Sequence, residues 1–497
     1  MGRRHARGSV TVEHVRELTR KRLSARLYID GDWLEAGKRQ TLPLLDPATE
    51  DVVGDVPMAT PEDLDRALEA AHRSAPIWAR TPADKRAAVL AGTALLLRER
   101  RAEIASALTL EEGKVLSEAE AEVDTSAAIF DWFAGEAHRI YGRIVPASQQ
   151  TTELRVIKDP IGPVAIFTPW NFPLVEPTAH VAAALAAGCP VLLKVAEETP
   201  LTGGNLLRAI EEAGAPSGVV QLVLGDPAAI SDQLIQSPVV KKIAFTGSVP
   251  VGKQLAAKAA SYMKPSTMEL GGNAPAIVFP DIDIPATALM VANAKCRNAG
   301  QVCTTPNRIF VHKSAYDEFV SELARILSAR MLGPGSDRAS QMGPLANVRR
   351  VEAMEKFVAD AHAHGAQVPL GGRRQPRPGY FFEATILLEA GAGSRVAREE
   401  VFGPLFPIFS FSDVDEVVER ANGTPAGLAA YVFTRDLKLG RHVAEALEAG
   451  SVAINHVTAM FVQAPFGGVK ESGFGRICGP EGIEGYLVSK LVSTNFA

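Results

Sequence analysis

Cys303 stands in GQVCTTPNR (300–308), in a chain of 497 residues with only four cysteines. A thiolate is a strong nucleophile toward a carbonyl carbon, whereas a buried thiol is an inert small hydrophobe. What surrounds the sulfur separates the two readings, because nucleophilic chemistry needs a base for the protons and a donor for the oxyanion. MELGGNAP (268–275) offers Glu269 just before Gly271-Gly272, a candidate general base for a water molecule if the chain folds back toward Cys303. TPWNFP (168–173) offers Asn171 between two aromatic residues. Its amide is either an oxyanion donor alongside the Cys303 backbone N–H or a helix cap in a packed core.

Two further segments fit a nucleotide. In FTGSVPVGKQLAAKAA (245–260), Gly247 and Gly252 frame a strand-to-helix turn whose bare N–H groups and helix dipole suit a pyrophosphate, although it is not a GxGxxG fingerprint. In KVAEETP (194–200), Lys194 and Glu197 emerge after an apolar run, where a carboxylate can accept hydrogen bonds from ribose hydroxyls.

The elements that must position these residues follow from periodicity. Residues 61 to 141 are Ala/Leu/Glu-rich with helical spacing, as in PEDLDRALEAAHRSAPIW. Short apolar runs then alternate with helical segments: PVAIFTP, PVLLKV, VVQLVLG, KKIAFTG and APAIVF, the last taken as the final strand of a first unit. This is the pattern of βαβ units and a mostly parallel sheet, which binds ligands at the carboxyl ends of its strands. A second series follows Cys303 (RIFVH, ATILL, LFPIFSF, AAYVFT, SVAIN) and predicts a second α/β domain. TELRVIKDP (152–160) and YLVSKLVSTNF (486–496) read as strands of neither sheet, so an oligomer is expected.

Composition narrows the class. With 46% hydrophobic and 22% charged residues the chain is globular and long enough for two or three domains, and no apolar run is long enough to span a membrane. Cys189, Cys296, Cys303 and Cys478 are scattered without CxxC pairs or zinc-like spacing, which fits a reducing, cytoplasmic setting and no structural metal. Eight Arg or Lys residues crowd positions 1 to 26, yet the net charge is −5, so the rest is acidic and nucleic acid is not an expected partner.

In this order, TPWNFP, KVAEETP, FTGS, MELGGNAP, GQVCTTPNR, EEVFGP (399–404) and PFGGVKESGFGR (465–476) resemble the motifs of the NAD(P)-dependent aldehyde dehydrogenase superfamily, from about residue 26 to the C-terminus. The resemblance implies an α/β fold with a basic extension over 1–25 and a Rossmann-like cofactor domain over 26–144 and 161–270. It further implies a catalytic domain over 271–480, oligomerisation strands at 145–160 and 481–497, and a homodimer or homotetramer. It assigns Cys303 as nucleophile, Glu269 as general base and Asn171 as oxyanion donor. Thr168, Trp170, Lys194, Glu197, Gly247, Ser248, Glu400 and Phe402 are then the cofactor residues. Glu197 favours NAD by repelling a 2′-phosphate, with NADP the alternative. The implied reaction is oxidation of a small-molecule aldehyde to the acid through a thiohemiacetal and a thioester on Cys303.

Within the superfamily, RNAGQVC, PLGG, GLAAYVFT and EGIEGYL look most like succinic-semialdehyde dehydrogenases. Arg297 matches one carboxylate-binding arginine of that group, but Ala179 stands where the other is expected. Met460 and Phe461 fall where a pocket serine is expected, so larger apolar or aromatic aldehydes are also candidates. His180 and Ile477 replace a usual Lys and Glu, and His180 is either a pH-sensitive group of the substrate pocket with Arg297 and Phe461 or a satisfied structural histidine. A CoA-acylating enzyme is the rival within enzymes, opposed by Glu269, which that branch commonly lacks. A non-catalytic protein that kept the fold is opposed by the intact Cys303, Asn171 and Glu269.

Overall fold

Strands Val164–Phe167, Val191–Lys194 and Val220–Val223 bury every side chain, as strands do when helices cover both faces of a parallel sheet. The computed structural model describes residues 23–497, so residues 1–22 of the basic arm lie outside the described residues. Five parallel strands form the body of the first sheet, in the order Ser266–Leu270, Lys242–Gly247, Val164–Phe167, Val191–Lys194, Val220–Val223. Antiparallel strands flank it, Leu27–Ile29 with Asp32–Leu34 at one edge and Gly473–Phe474 at the other. Helix Val175–Ala187 packs between this sheet and helix Leu116–Glu136, with all 13 residues buried. Six of them are alanine, which lets the layers approach closely.

The second sheet has seven strands in the order Gln367–Leu370, Thr385–Leu388, Leu405–Phe411, Arg308–His312, Pro275–Val278, Ala429–Phe433, Ser451–Ile454, all parallel except the first pair. The APAIVF run therefore corrects the sequence reading: its strand lies near the middle of this sheet and does not close the first. The strand that closes the parallel series of the first sheet, Ser266–Leu270, was missed because its Ser, Thr and Glu read as loop. Ser266 is half-buried, Thr267 and Glu269 are buried, and Thr267 Oγ1 accepts from Lys242 Nζ at 2.8 Å.

Leu487–Asn495 pairs antiparallel with Thr152–Pro160 along nine residues, and Arg143–Val145 adds a third strand. Both unplaced runs thus form a sheet of their own. Among the described residues no helix is long and apolar enough to cross a membrane.

Candidate active site

Cys303 follows a turn the backbone makes at a cost. Asn298 (φ 47°), Ala299 (φ 51°) and Gly300 (φ 76°) are left-handed in succession. Each non-glycine there costs on the order of 1–3 kcal/mol unless its surroundings hold it. They do: Asn298 N donates to Glu118 Oε2 at 3.0 Å and Asn298 Nδ2 to the Asn171 carbonyl at 2.8 Å. Gly300 is required, since a Cβ would lie 2.2 Å from the Gly403 carbonyl oxygen. The turn leaves Cys303 half-buried at a cavity wall while Cys189, Cys296 and Cys478 are fully buried.

Asn171 is fixed by the same network. Its Nδ2 donates to the Gln301 carbonyl at 3.0 Å, which leaves the second amide hydrogen available to the cavity it lines. Its carbonyl accepts from Lys114 Nζ at 2.7 Å. Lys114, fully buried, is held by Glu122 at 2.6 Å, and the other Glu122 oxygen accepts from Leu174 N (2.9 Å) and Val175 N (3.2 Å) where the Val175–Ala187 helix begins. One buried ion pair thus sets the helix start and the Asn171 backbone together.

Glu269 lies near the end of its strand, 2% exposed, with Oε1 unpartnered. Its register against Gly473 needs glycine: at φ 113° a Cβ would sit 1.9 Å from the Met268 carbonyl oxygen. One atom each of Cys303, Glu269 and Glu176 lie within 4.8 Å of one another. Burial pushes the Cys303 thiol well above its ordinary value, and the Glu269, Glu176 and Glu400 carboxylates add to the rise while Arg297 opposes it. Glu269 rises for the same reasons, burial first and then Glu176 and Glu400. Three acids crowded into one pocket each bind a proton more tightly than they would in water.

The 320 Å³ cavity at Cys303 runs into a groove of 870 Å³, and Trp170, Thr246, Gly247 and Ser248 line both. The groove follows the carboxyl ends of the first sheet and is also lined by Thr168, Lys194 and Glu197, the last two an ion pair. Ser248 precedes helix Val249–Ser261, whose first N–H groups face this end of the sheet. The Thr168 hydroxyl is buried there with no partner. On the other side, Glu400 accepts from Gly272 N at 3.2 Å, and a Cβ at Gly271 would lie 2.3 Å from Glu400 Oε2. Phe402 stands edge-on to Trp170 at 5.6 Å, its backbone gripped by Arg350. Every residue expected to bind cofactor lines one of these two connected spaces. Size, an orphaned hydroxyl and a ribose-level carboxylate fit a dinucleotide.

The predicted substrate residues divide. Arg297 is exposed, lies over the Phe172 ring at 4.8 Å and forms no salt bridge among the described residues, so its charge is available. Phe461 is 45% exposed and edge-on to His456. His180 departs from the expectation of a pocket residue. It is fully buried behind the wall, Nδ1 3.1 Å from the Tyr486 hydroxyl and Nε2 3.0 Å from Thr246 Oγ1, and burial beside Lys242 lowers it to about 3, a neutral ring. Sequence reading missed Glu176, Thr246, Lys114, Glu122 and Arg350. Only Glu176 left a signal: the one acid in the Ala-rich, mostly apolar PLVEPTAHVAAALAA.

A family model described as the aldehyde dehydrogenase family matches residues 33–492. A succinate-semialdehyde dehydrogenase [NADP(+)] of Escherichia coli K12 is 41% identical over 93% of this chain and 96% of its own. A 3-sulfolactaldehyde dehydrogenase of Pseudomonas putida is 42% identical over 95% of this chain and 97% of its own. A betaine aldehyde dehydrogenase from Staphylococcus aureus, solved in complex with NAD+, superposes with a TM-score of 0.94 at 35% identity, covering 98% of this chain and 97% of its own. With that agreement along nearly its whole length, the chain belongs to the aldehyde dehydrogenase family, oxidoreductases that act on aldehydes.

Proposed function

We propose that the protein oxidises a small aldehyde bearing a distal anionic group to its carboxylic acid through a thioester on Cys303, with NAD(P)+ as oxidant. The observation that supports this most is the Cys303 thiol, the unpartnered Glu269 carboxylate and the available Asn171 amide facing one cavity. Cys303 gives its proton to Glu269 and attacks the aldehyde carbon. The Asn171 amide and the Cys303 N–H hold the oxyanion, a donation that elsewhere lowers barriers by ~3 to 4 kcal/mol. Bound NAD(P)+ would lie along Lys194, Glu197, Ser248, Glu400 and Phe402 and supply the hydride acceptor. Glu269, once it has given up the thiol proton, takes a proton from water, whose oxygen attacks the thioester carbon, and the thiolate leaves. A base beside the sulfur supports water over CoA as acyl acceptor. Glu197 supports NAD over NADP.

The distal anion rests on Arg297, unpaired over Phe172. Relatives named for succinate semialdehyde and 3-sulfolactaldehyde agree with that charge. Initial rates of NADH and NADPH formation across anionic and neutral aldehydes of equal length test it. One charge-assisted contact predicts a preference of about 10- to 150-fold in kcat/KM for the anion, erased by Arg297→Ala while neutral aldehydes are spared. Equal rates in wild type would remove Arg297 from recognition. The three-stranded sheet supports assembly into a homodimer or homotetramer through its exposed apolar residues, Ile144, Val488 and Leu491.

A further inference from the structure

Glu176 should not be where it is unless it is used. It is the second residue of helix Val175–Ala187, buried at the wall of the Cys303 cavity, and its Oε2 has no hydrogen-bond partner. Glu269 Oε1, also buried and unpartnered, belongs to the same cluster, in which Glu176, Glu269 and Cys303 offer atoms within 4.8 Å of one another. Two like-charged carboxylates this close do not both ionise freely; they share protons.

Behind Glu176 runs a directed chain. His180 lies one helical turn on, and its two nitrogens meet Tyr486 and Thr246. A neutral ring donates from one nitrogen and accepts at the other; with Tyr486 O–H donating to Nδ1 and Nε2–H to Thr246 Oγ1, the Thr246 O–H is left to turn toward the Glu176 carboxylate that lines the cavity with it. The chain presents a donor to the Glu176 carboxylate and fixes its place.

We infer that Glu176 is the proton-holding partner of Glu269, a positioning residue that takes the Cys303 proton from Glu269 so that Glu269 is free to deprotonate water. This rests on the thioester reading above. The reaction releases two protons from groups in this pocket before the acid leaves, one from the Cys303 thiol and one from water, and a single carboxylate holds only one. The first passes from sulfur to Glu269 and on to Glu176. The second passes from water to Glu269 as the C–O bond forms; then the C–S bond breaks, the thiolate recovers its proton from Glu176, and Glu269 loses its proton to solvent.

The groups that face Glu176 are known from each packed element. They are Glu269 on its strand, Cys303 on its loop, Thr246 on the neighbouring strand, Glu122 on the helix above, Lys114 on the turn before that helix, and Cys478 below. Burial and the Glu122 charge raise Glu176 to about 7, and Glu176 in turn raises Glu269. Because raised carboxyls are protonated at low pH, the pair sets an acid limb on turnover, with activity rising as pH rises through it.

The test is Glu176→Gln, which keeps the size and a partner for Thr246 but removes the charge. Stopped-flow NADH traces from pH 5.5 to 9 should keep a burst near one per site, followed by a steady rate at least about tenfold slower than wild type. The acid limb should move down by roughly one pH unit, since Glu269 loses a like-charged neighbour. Glu176→Asp should recover part of the steady rate. An unchanged acid limb with a normal steady rate would overturn the inference, and so would a uniform loss of burst and steady rate that Asp does not relieve, which marks a packing role. If wild type itself forms no acyl-enzyme, the thioester reading fails first, and that result is distinguishable because it appears before any substitution.

Discussion

At the residue scale the sulfur is defined by contrast with the other three. Cys189, Cys296 and Cys478 are fully buried in packed cores, with thiols pushed up to about 11, 12 and 12. Cys303 alone opens on a cavity. Cys303→Ala should therefore abolish NADH formation with an unchanged melting temperature, while Cys296→Ala keeps at least about a tenth of the activity, within ~1.4 kcal/mol of barrier. Steady-state assays of both variants decide it, and activity in Cys303→Ala would reassign the nucleophile. Thr168, Lys194 and Gly247 were legible because their motifs lie at the ends of foreseen strands, whereas Cys303, Glu269 and Glu400 rested on the family resemblance of theirs. Glu176 was not legible, since a lone acid in an apolar helix reads as a surface face until the layer covering it is known. His180 was misplaced for the same reason: which side of its helix faces the cavity is set by packing.

Elements carry the geometry that single residues cannot. The alternation of strand and helix was readable, and TELRVIKDP coincides with strand Thr152–Pro160. Glu269's strand was not, because Thr267 and Glu269 are polar residues that only the fold buries, and the strand supplied to it by residues 473–474 comes from some two hundred positions away. The left-handed turn at 298–300 was equally hidden, as nothing local in Arg-Asn-Ala-Gly requires it; Glu118 and Asn171 impose it. The three-stranded sheet is the element on which the proposed assembly rests. Leu491 is 61% and Ile144 73% exposed on it, a costly arrangement for a free sheet. Light scattering should give a mass two or four times 52.9 kDa, falling toward one chain in Leu491→Asp/Ile144→Asp. A wild-type monomer would contradict the assembly.

Across the whole molecule, two α/β bodies meet so that the first brings a groove suited to a dinucleotide and the second brings the thiol. The crossover through Gly271-Gly272 is what lets them touch, since Cβ atoms there would collide with Glu400 Oε2 at 2.3 Å and the Cys303 carbonyl at 2.6 Å. Fold class followed from strand order alone; the depth of the site, and the buried Lys114–Glu122 pair that aligns Asn171, depend on contacts between segments far apart in the chain. The claim on which the rest depends is a covalent acyl-enzyme on Cys303 released by Glu269. Rapid acid quench of Glu269→Gln mixed with aldehyde and NAD+, followed by peptide mass analysis, tests it directly. The account predicts the acyl mass on the peptide containing Cys303 at close to one per site, persisting after NADH has formed. Unmodified Cys303 once one equivalent of NADH has appeared, or the acyl mass on another cysteine, would contradict it.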